Sequence, residues 1–366
     1  MNTAPMEKGI NGNIVNGTPN DLAIVDAFAL HGITLLSNAI VSHNPVSTAS
    51  SNTGIVIDAS VTMTYPWAFA STNCFYKLND ANSWVTLPMI GASSFSSTIP
   101  GQADGTIVSY YISLTDIYGI ESGVTPTASN LTPISNANLP NFIMVGFEMT
   151  EEEDFDANFG FWQTGAPNDN ATTGMWEIGL PIGSFTDNGS IVQTDEQHTP
   201  GGSDCAFTQN AANNTLSIGE KDVDGGHTTL FSPYYDLTGY TNPAFSYWRW
   251  FTNNTGAEPN ADWWQVLITD DGVNWEYVEN NRTSDISWRK FAFRVKDYVN
   301  LSTEVQLKFI ASDSTNGALS GGSLVEAAVD DLVLYESQAN STLVDDVLAT
   351  KPKLLKITDL LGKIVN

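Results

Sequence analysis

Between Glu220 and Phe251 the chain sets an acidic, glycine-bearing loop beside a strand crowded with aromatic rings. Asp222 and Asp224, followed by Gly225 and Gly226, offer carboxylate oxygens to a hard cation on a backbone free to turn tightly around it. The strand carries Phe245, Tyr247, Trp248, Trp250 and Phe251. Alternation puts Trp248 and Trp250 on one face and Tyr247, Arg249 and Phe251 on the other. With Trp263 on the next strand, an exposed Trp pair would make a stacking platform for a sugar ring or a protein contact. Long loops covering both faces are the competing expectation.

No residue pattern points to catalysis. The histidines are His31, His43, His198 and His227, and none opens an HExxH or HxxE motif. A GxSxG elbow, a phosphate-binding Walker loop and a GxGxxG strand–helix turn are all missing from the sequence. Carboxylates are abundant, but nothing selects a glycosidase pair among them.

Lys plus Arg number 14 against 41 Asp plus Glu, a formal charge of -27 over 366 residues. Nucleic acid and anionic membranes demand a basic face and are poor partners for such a chain. Cations, neutral glycans and protein surfaces remain. Cys74 and Cys205 lie far apart and outside any CxxC, so two buried free thiols are expected. The N-terminus does not read as a signal peptide, and no apolar run approaches the roughly 20 residues of a membrane span.

The elements that must position these residues are mostly strands. Thr18 and Pro19 open one short helix with Leu22, Val25, Phe28 and Ala29 at helical spacing, stopped by Gly32. Residues 46–141 carry short alternating runs with turn signals between them, including a hairpin across Asn79 and Asp80, the pattern of a small β-sandwich. Residues 124–141, rich in Pro, Ser, Thr and Asn, read as an extended connection. A larger β domain is expected over 142–337. In AAVDDLVLY, alternation turns one of Asp330 and Asp331 inward, where a buried carboxylate needs a partner.

Several stretches resemble known modules. IPGQADGTIVSYYISLTDIYG, through Gly105, Val108, Tyr110, Tyr111, Ile112, Asp116 and Gly119, resembles the last strands of immunoglobulin/fibronectin-III-like modules, which implies a spacer. ITDDGVNW resembles an Asp-box hairpin through Asp270, Gly272 and Trp275, which implies a folding device. Asp222–Gly226, Ser232–Leu237, Tyr247–Phe251, DDGVNW and Val325–Leu332 together resemble the MAM-like jelly-roll module of secreted Bacteroidetes proteins. That resemblance implies an all-β chain: an Ig-like sandwich, then a jelly roll. It also implies a structural calcium ion held by Glu148, Asp222, Asp224, Asp330 and Asp331. KLLKITDLLGKIVN resembles the opening of a type IX sorting domain, with an ordinary terminal strand or helix as the alternative. The implied whole is a lead-in (1–45), two sandwiches (46–141 and 142–337) and a truncated sorting segment (338–366). It would be a secreted or cell-surface accessory region binding glycan or protein, appended to a hydrolase outside this chain. A cell-surface adhesin without an enzyme and a jelly-roll glycoside-active enzyme are the alternatives.

Overall fold

A computed structural model describes residues 20–31, 39–79, 81–126, 139–156, 161–187, 189–213, 219–313 and 322–338. The expected sorting segment from 339 onward and residues 127–138 of the expected connection lie outside them. The lead-in helix is α1 (Asp21–Ala29), and nearly every regular element after it is a strand. No described helix is long and apolar enough to cross a membrane.

The first sandwich uses β1 (Ala39–Ser42), β2 (Thr48–Ala49), β3 (Ile55–Met63), β4 (Phe69–Leu78), β5 (Val85–Pro88), β6 (Ile90–Gly91), β7 (Ser94–Ile99), β8 (Thr106–Asp116), β9 (Glu121–Thr125) and β10 (Asn141–Val145). One sheet runs β1-β3-β7-β6 and the other β2-β10-β8-β4-β5, with β9 on β8. In β3 the alternation is read directly as packing: Ile55, Ile57 and Ala59 are buried while Val56, Asp58 and Ser60 are exposed. They meet Val108, Tyr110, Ile112 and Leu114 of β8 in one core. The Tyr110 hydroxyl is tied at the core's rim by His43 Nε2 at 2.7 Å and the Val46 amide at 2.8 Å. The β4–β5 hairpin pairs Cys74 with Leu87, as the sequence leads one to expect.

The second sandwich uses β11 (Phe147–Glu153), β12 (Gln163–Thr164), β13 (Trp176–Gly179), β14 (Cys205–Thr208), β15 (His227–Phe231), β16 (Pro243–Thr252), β17 (Trp263–Thr269), β18 (Glu276–Asn281), β19 (Asp285–Arg294), β20 (Gln306–Ser312) and β21 (Glu326–Ser337). One sheet runs β13-β14-β21-β16-β19 with β11 on β21, and the facing sheet runs β12-β15-β20-β17-β18. Tyr247, Phe251, Trp264, Phe309 and Leu332 fill the space between them.

The boundary expected at 141/142 lies at Gly146. Phe142–Val145 pair with β8 in the first sandwich, and β11 starts at Phe147 in the second. β1, expected in the lead-in, is part of the first sandwich. The alternation of IMVGFEM continues through the boundary, so it could not reveal that one strand ends and another begins. Gly146 has φ +61°, and a Cβ there would sit 1.9 Å from Asp104 Oδ1. Ile107, Phe142, Met144, Ala244 and Ala292 form a small shared core across the junction. Gly146→Ala is expected to cost about 1–2 kcal/mol through the left-handed backbone alone. Calorimetry checks this, and an unchanged Tm would mean that the connection is not held.

Candidate functional site

β21 is the central strand along which the expected calcium ligands are strung. Val223 N–H donates to the Val325 carbonyl just before β21 begins, which places Asp222 and Asp224 at that end. Asp330 is five residues further, roughly 16 Å along an extended strand. Glu148 pairs with Glu336, a further six residues or roughly 20 Å on. The five carboxylates therefore stand at three stations and do not fit one ion. Among the described residues no group of three or more His, Cys, Asp or Glu side chains is placed to hold a metal.

At the first station Asp222, Asp224 and Asp313 lie near enough for their charges to act on one another. Asp222 is 1% exposed and its Oδ1 has no hydrogen-bond partner. Burial, then the charges of Asp224 and Asp313, push its carboxyl up to about 7. Burial likewise raises Asp313 to about 6, against the Gly225 N–H that donates to its Oδ2 at 2.9 Å. Both carboxyls therefore hold their protons in the fold to a higher pH than a solvated aspartate does.

At the second station the expectation that one of Asp330 and Asp331 turns inward fails, because the strand is irregular. Asp331 has φ +46°, and the pairing with β16 shifts between Ser246 and Trp248. Both carboxylates thereby reach one loop on the outer side of the sheet. Asp330 Oδ2 accepts the His198 N–H at 2.8 Å and the Thr199 N–H at 3.2 Å. Asp331 takes His198 Nδ1 at 2.5 Å and the Thr199 hydroxyl at 2.5 Å. Burial, then the charge of Asp331, raise Asp330 to about 7. His198 stacks on Trp248 with ring centroids 3.8 Å apart. The pair acts as a latch that holds residues 189–204 against the sheet.

That loop removes Trp250 as a platform and stacks His198 on one face of Trp248, which stays half-exposed. Trp250 is 4% exposed, donates its Nε1 to the Val192 carbonyl at 2.8 Å, and packs with Cys205 and Phe207. Trp288 is fixed in the same way by the Glu196 carbonyl at 3.1 Å. Both cysteines are buried free thiols, as expected. Trp263, like Trp248, stands half-exposed, but on the outer face of the other sheet.

Strand register lays that outer face out in rows. Trp263, Ser312 and His227 form the first, and Asn280, Gln265, Ile310 and Thr229 the second. Tyr277, Leu267, Lys308, Phe231 and Gln163 form the third. Arg282 lies over the Trp263 ring at 4.2 Å and Lys308 over Trp275 at 4.1 Å, each a cation held against an aromatic face. Gln265 Nε2 donates to Asn280 Oδ1 at 3.0 Å, so the amides between the aromatics are oriented. Tyr277 is 51% exposed. This face offers apolar rings at its margins and amide donors and acceptors between them. The sequence reading took only Trp263 from it. The alternation of Trp263, Gln265 and Leu267 against Trp264, Val266 and Ile268 was the signal that could have supplied Gln265 and Leu267.

The hairpin bounding this face is built as expected, but with another aspartate. Asp271, not Asp270, caps the turn, accepting the Val273 and Asn274 amides at 2.8 and 2.7 Å around Gly272 at φ +70°. Those bonds hold the Asp271 carboxyl down at about 2. Asp270 turns away to the Asn300 amide at 2.9 Å.

The chain is thus an all-β protein of two consecutive sandwiches with one paved outer sheet face. It matches no family model and no curated protein. Distant likenesses to solved structures exist. One is to carbohydrate-binding modules of the β-sandwich superfamily: 10% identity, TM-score 0.29, covering 82% of this chain and 98% of that one. Another is to the CBM22-1–GH10 modules of a Clostridium thermocellum xylanase crystallised with xylohexaose: 11% identity, TM-score 0.28, covering 51% of this chain and 28% of that one. A third is to a cycloalternan-degrading enzyme from Trueperella pyogenes: 8% identity, TM-score 0.20, covering 77% and 35%. Scores this low assign the chain neither a family nor a role.

Proposed function

We propose that this chain is a non-catalytic accessory region that binds a neutral glycan on the outer face of the five-stranded sheet. The observation that carries this is the row pattern itself. Trp263 and Tyr277 present rings for the C–H faces of sugars, while Gln265 and Asn280 lie between them with amides for sugar hydroxyls. The chain's net charge of -27 works against acidic glycans and so favours neutral ones over them. Secretion by the type IX route, an extracellular or cell-surface location and a hydrolase elsewhere in the protein belong to the same proposal. They rest on sequence resemblance alone.

A protein-binding adhesin is the second reading. It is favoured by the same Trp, Tyr and Arg side chains, which are the types enriched at protein interfaces. A glycan array with the full chain separates the two. Binding to a neutral polysaccharide is expected, with Trp263→Ala weakening it roughly tenfold, about 1.4 kcal/mol, at unchanged Tm. An array without a single neutral hit would overturn the glycan reading.

A further inference from the structure

The face just described does not end at β18. Around its edge lies a cleft of about 510 Å³ in which β18 and β19 form one wall and Lys77, Asn79 and Ser109 of the first sandwich help form the other. That volume is in the range of small-ligand sites. Asn280 belongs to both, bound to Gln265 on the outer face and lining the cleft. The two surfaces are therefore one continuous path over a single strand.

The cleft is a fixed shape. The sandwiches are joined by Gly146 alone, share the core around Phe142 and Ala292, and are tied by Arg289 donating to the Leu139 carbonyl. Its charges are largely cancelled internally. Arg294 is held bidentate by Asp297 at 2.9 and 2.6 Å, and Glu279 is paired with Arg249 at 3.2 Å. What the cleft offers a ligand is the Lys77 ammonium, the rings of Phe142 and Phe291, and the amides of Asn79 and Asn280.

We propose that the cleft is the second half of the binding site, so that the ligand is an extended neutral oligosaccharide crossing β18. The first sandwich is then a part of the site and not a spacer. This rests on the glycan reading above and adds the length of the ligand and the origin of half its contacts.

The test is titration calorimetry of the full chain with xylo-, cello-, laminari- and manno-oligosaccharides of two to six units. For at least one series, affinity is expected to rise at least tenfold between the trimer and the hexamer. Lys77→Ala should weaken the hexamer about fivefold and leave the trimer unchanged. Asn280→Ala should weaken both, and Trp263→Ala should weaken every length. Matched Tm values for the three variants exclude misfolding. Affinity that levels off at the trimer, or a hexamer indifferent to Lys77→Ala, would overturn the composite site while leaving the outer-face reading intact. No binding at any length would overturn both.

Discussion

Glu279→Ala is expected to cost the folded protein about 3–5 kcal/mol, the largest loss from any single side chain away from the aromatic core. Glu279 is 4% exposed and faces the interior between the two sheets. It accepts the Tyr247 hydroxyl at 2.7 Å and Trp264 Nε1 at 2.8 Å, and it sits 3.2 Å from Arg249 Nε. Arg249 is itself 2% exposed. Removing the carboxylate leaves a buried guanidinium without its counter-charge and two aromatic donors without an acceptor. The desolvation has already been suffered by both charges, so replacing the pair with apolar groups need not be costly. Arg249→Met with Glu279→Leu should therefore recover only the part owed to the unpaired guanidinium, because the Tyr247 hydroxyl and Trp264 Nε1 still lack an acceptor. Urea unfolding of the single and double variants measures both. A single-variant loss under about 1 kcal/mol would mean that the pair is not the organising contact of this interior.

The second large effect is on pH. Stability is expected to rise as the solution is acidified from pH 7.5 to pH 5. Asp222 and Asp330 titrate near 7 and Asp313 near 6 in the folded chain, each raised first by burial. Unfolded, all three would titrate near 3.9. Between those values the folded state holds protons that the unfolded state has released. These groups therefore add full stability below about 3.9, and the addition is lost as pH rises through 6 and 7. Between pH 7.5 and pH 5 Asp222 and Asp330 contribute on the order of 2 kcal/mol each, and Asp313, which solvent screens more, adds a smaller amount in the same direction. On the acid side, Asp271, Asp156 and Asp236 have carboxyls lowered by hydrogen bonds and withdraw support as they protonate. Calorimetry from pH 4 to pH 8, with calcium and with EGTA, tests this directly. A cation on Asp222, Asp224 and Asp313 would need them ionised, so a Tm that falls on acidification and rises with calcium would replace the proton account with a metal.

The strands were legible because alternation and turn residues are local signals. Ile55, Ile57 and Ala59 could be placed in a core from spacing alone. What covers a strand could not be read that way. Trp250 is covered and one face of Trp248 is stacked by residues 189–204, which reach the sheet through Asp330 and Asp331, more than 130 positions away. No local pattern announces such a contact. The two aspartates failed for a different reason: alternation assumes an extended backbone, and Asp331 departs from it. Trp263 was found, yet its neighbours Asn280 and Tyr277 depend on the register across the Asp271 turn. That register shifts by one residue between Val266 and Leu267, so counting along the hairpin would have misplaced one of them.

The single-residue joint at Gly146 also governs how the protein bears load. Phe147 enters the second sandwich opposite Ser337, the last residue of β21, and the next amide, Gln338 N–H, donates back to the Gly146 carbonyl at 2.8 Å. Entrance and exit are thus side by side. Tension along the polypeptide does not stretch the second sandwich from end to end. It acts across the mouth of a closed loop, parting β11 from β21 one pair at a time from the Phe147 end. The sandwich hangs from the chain like a bead on a looped thread, and the clasp is the first thing that a pull would meet.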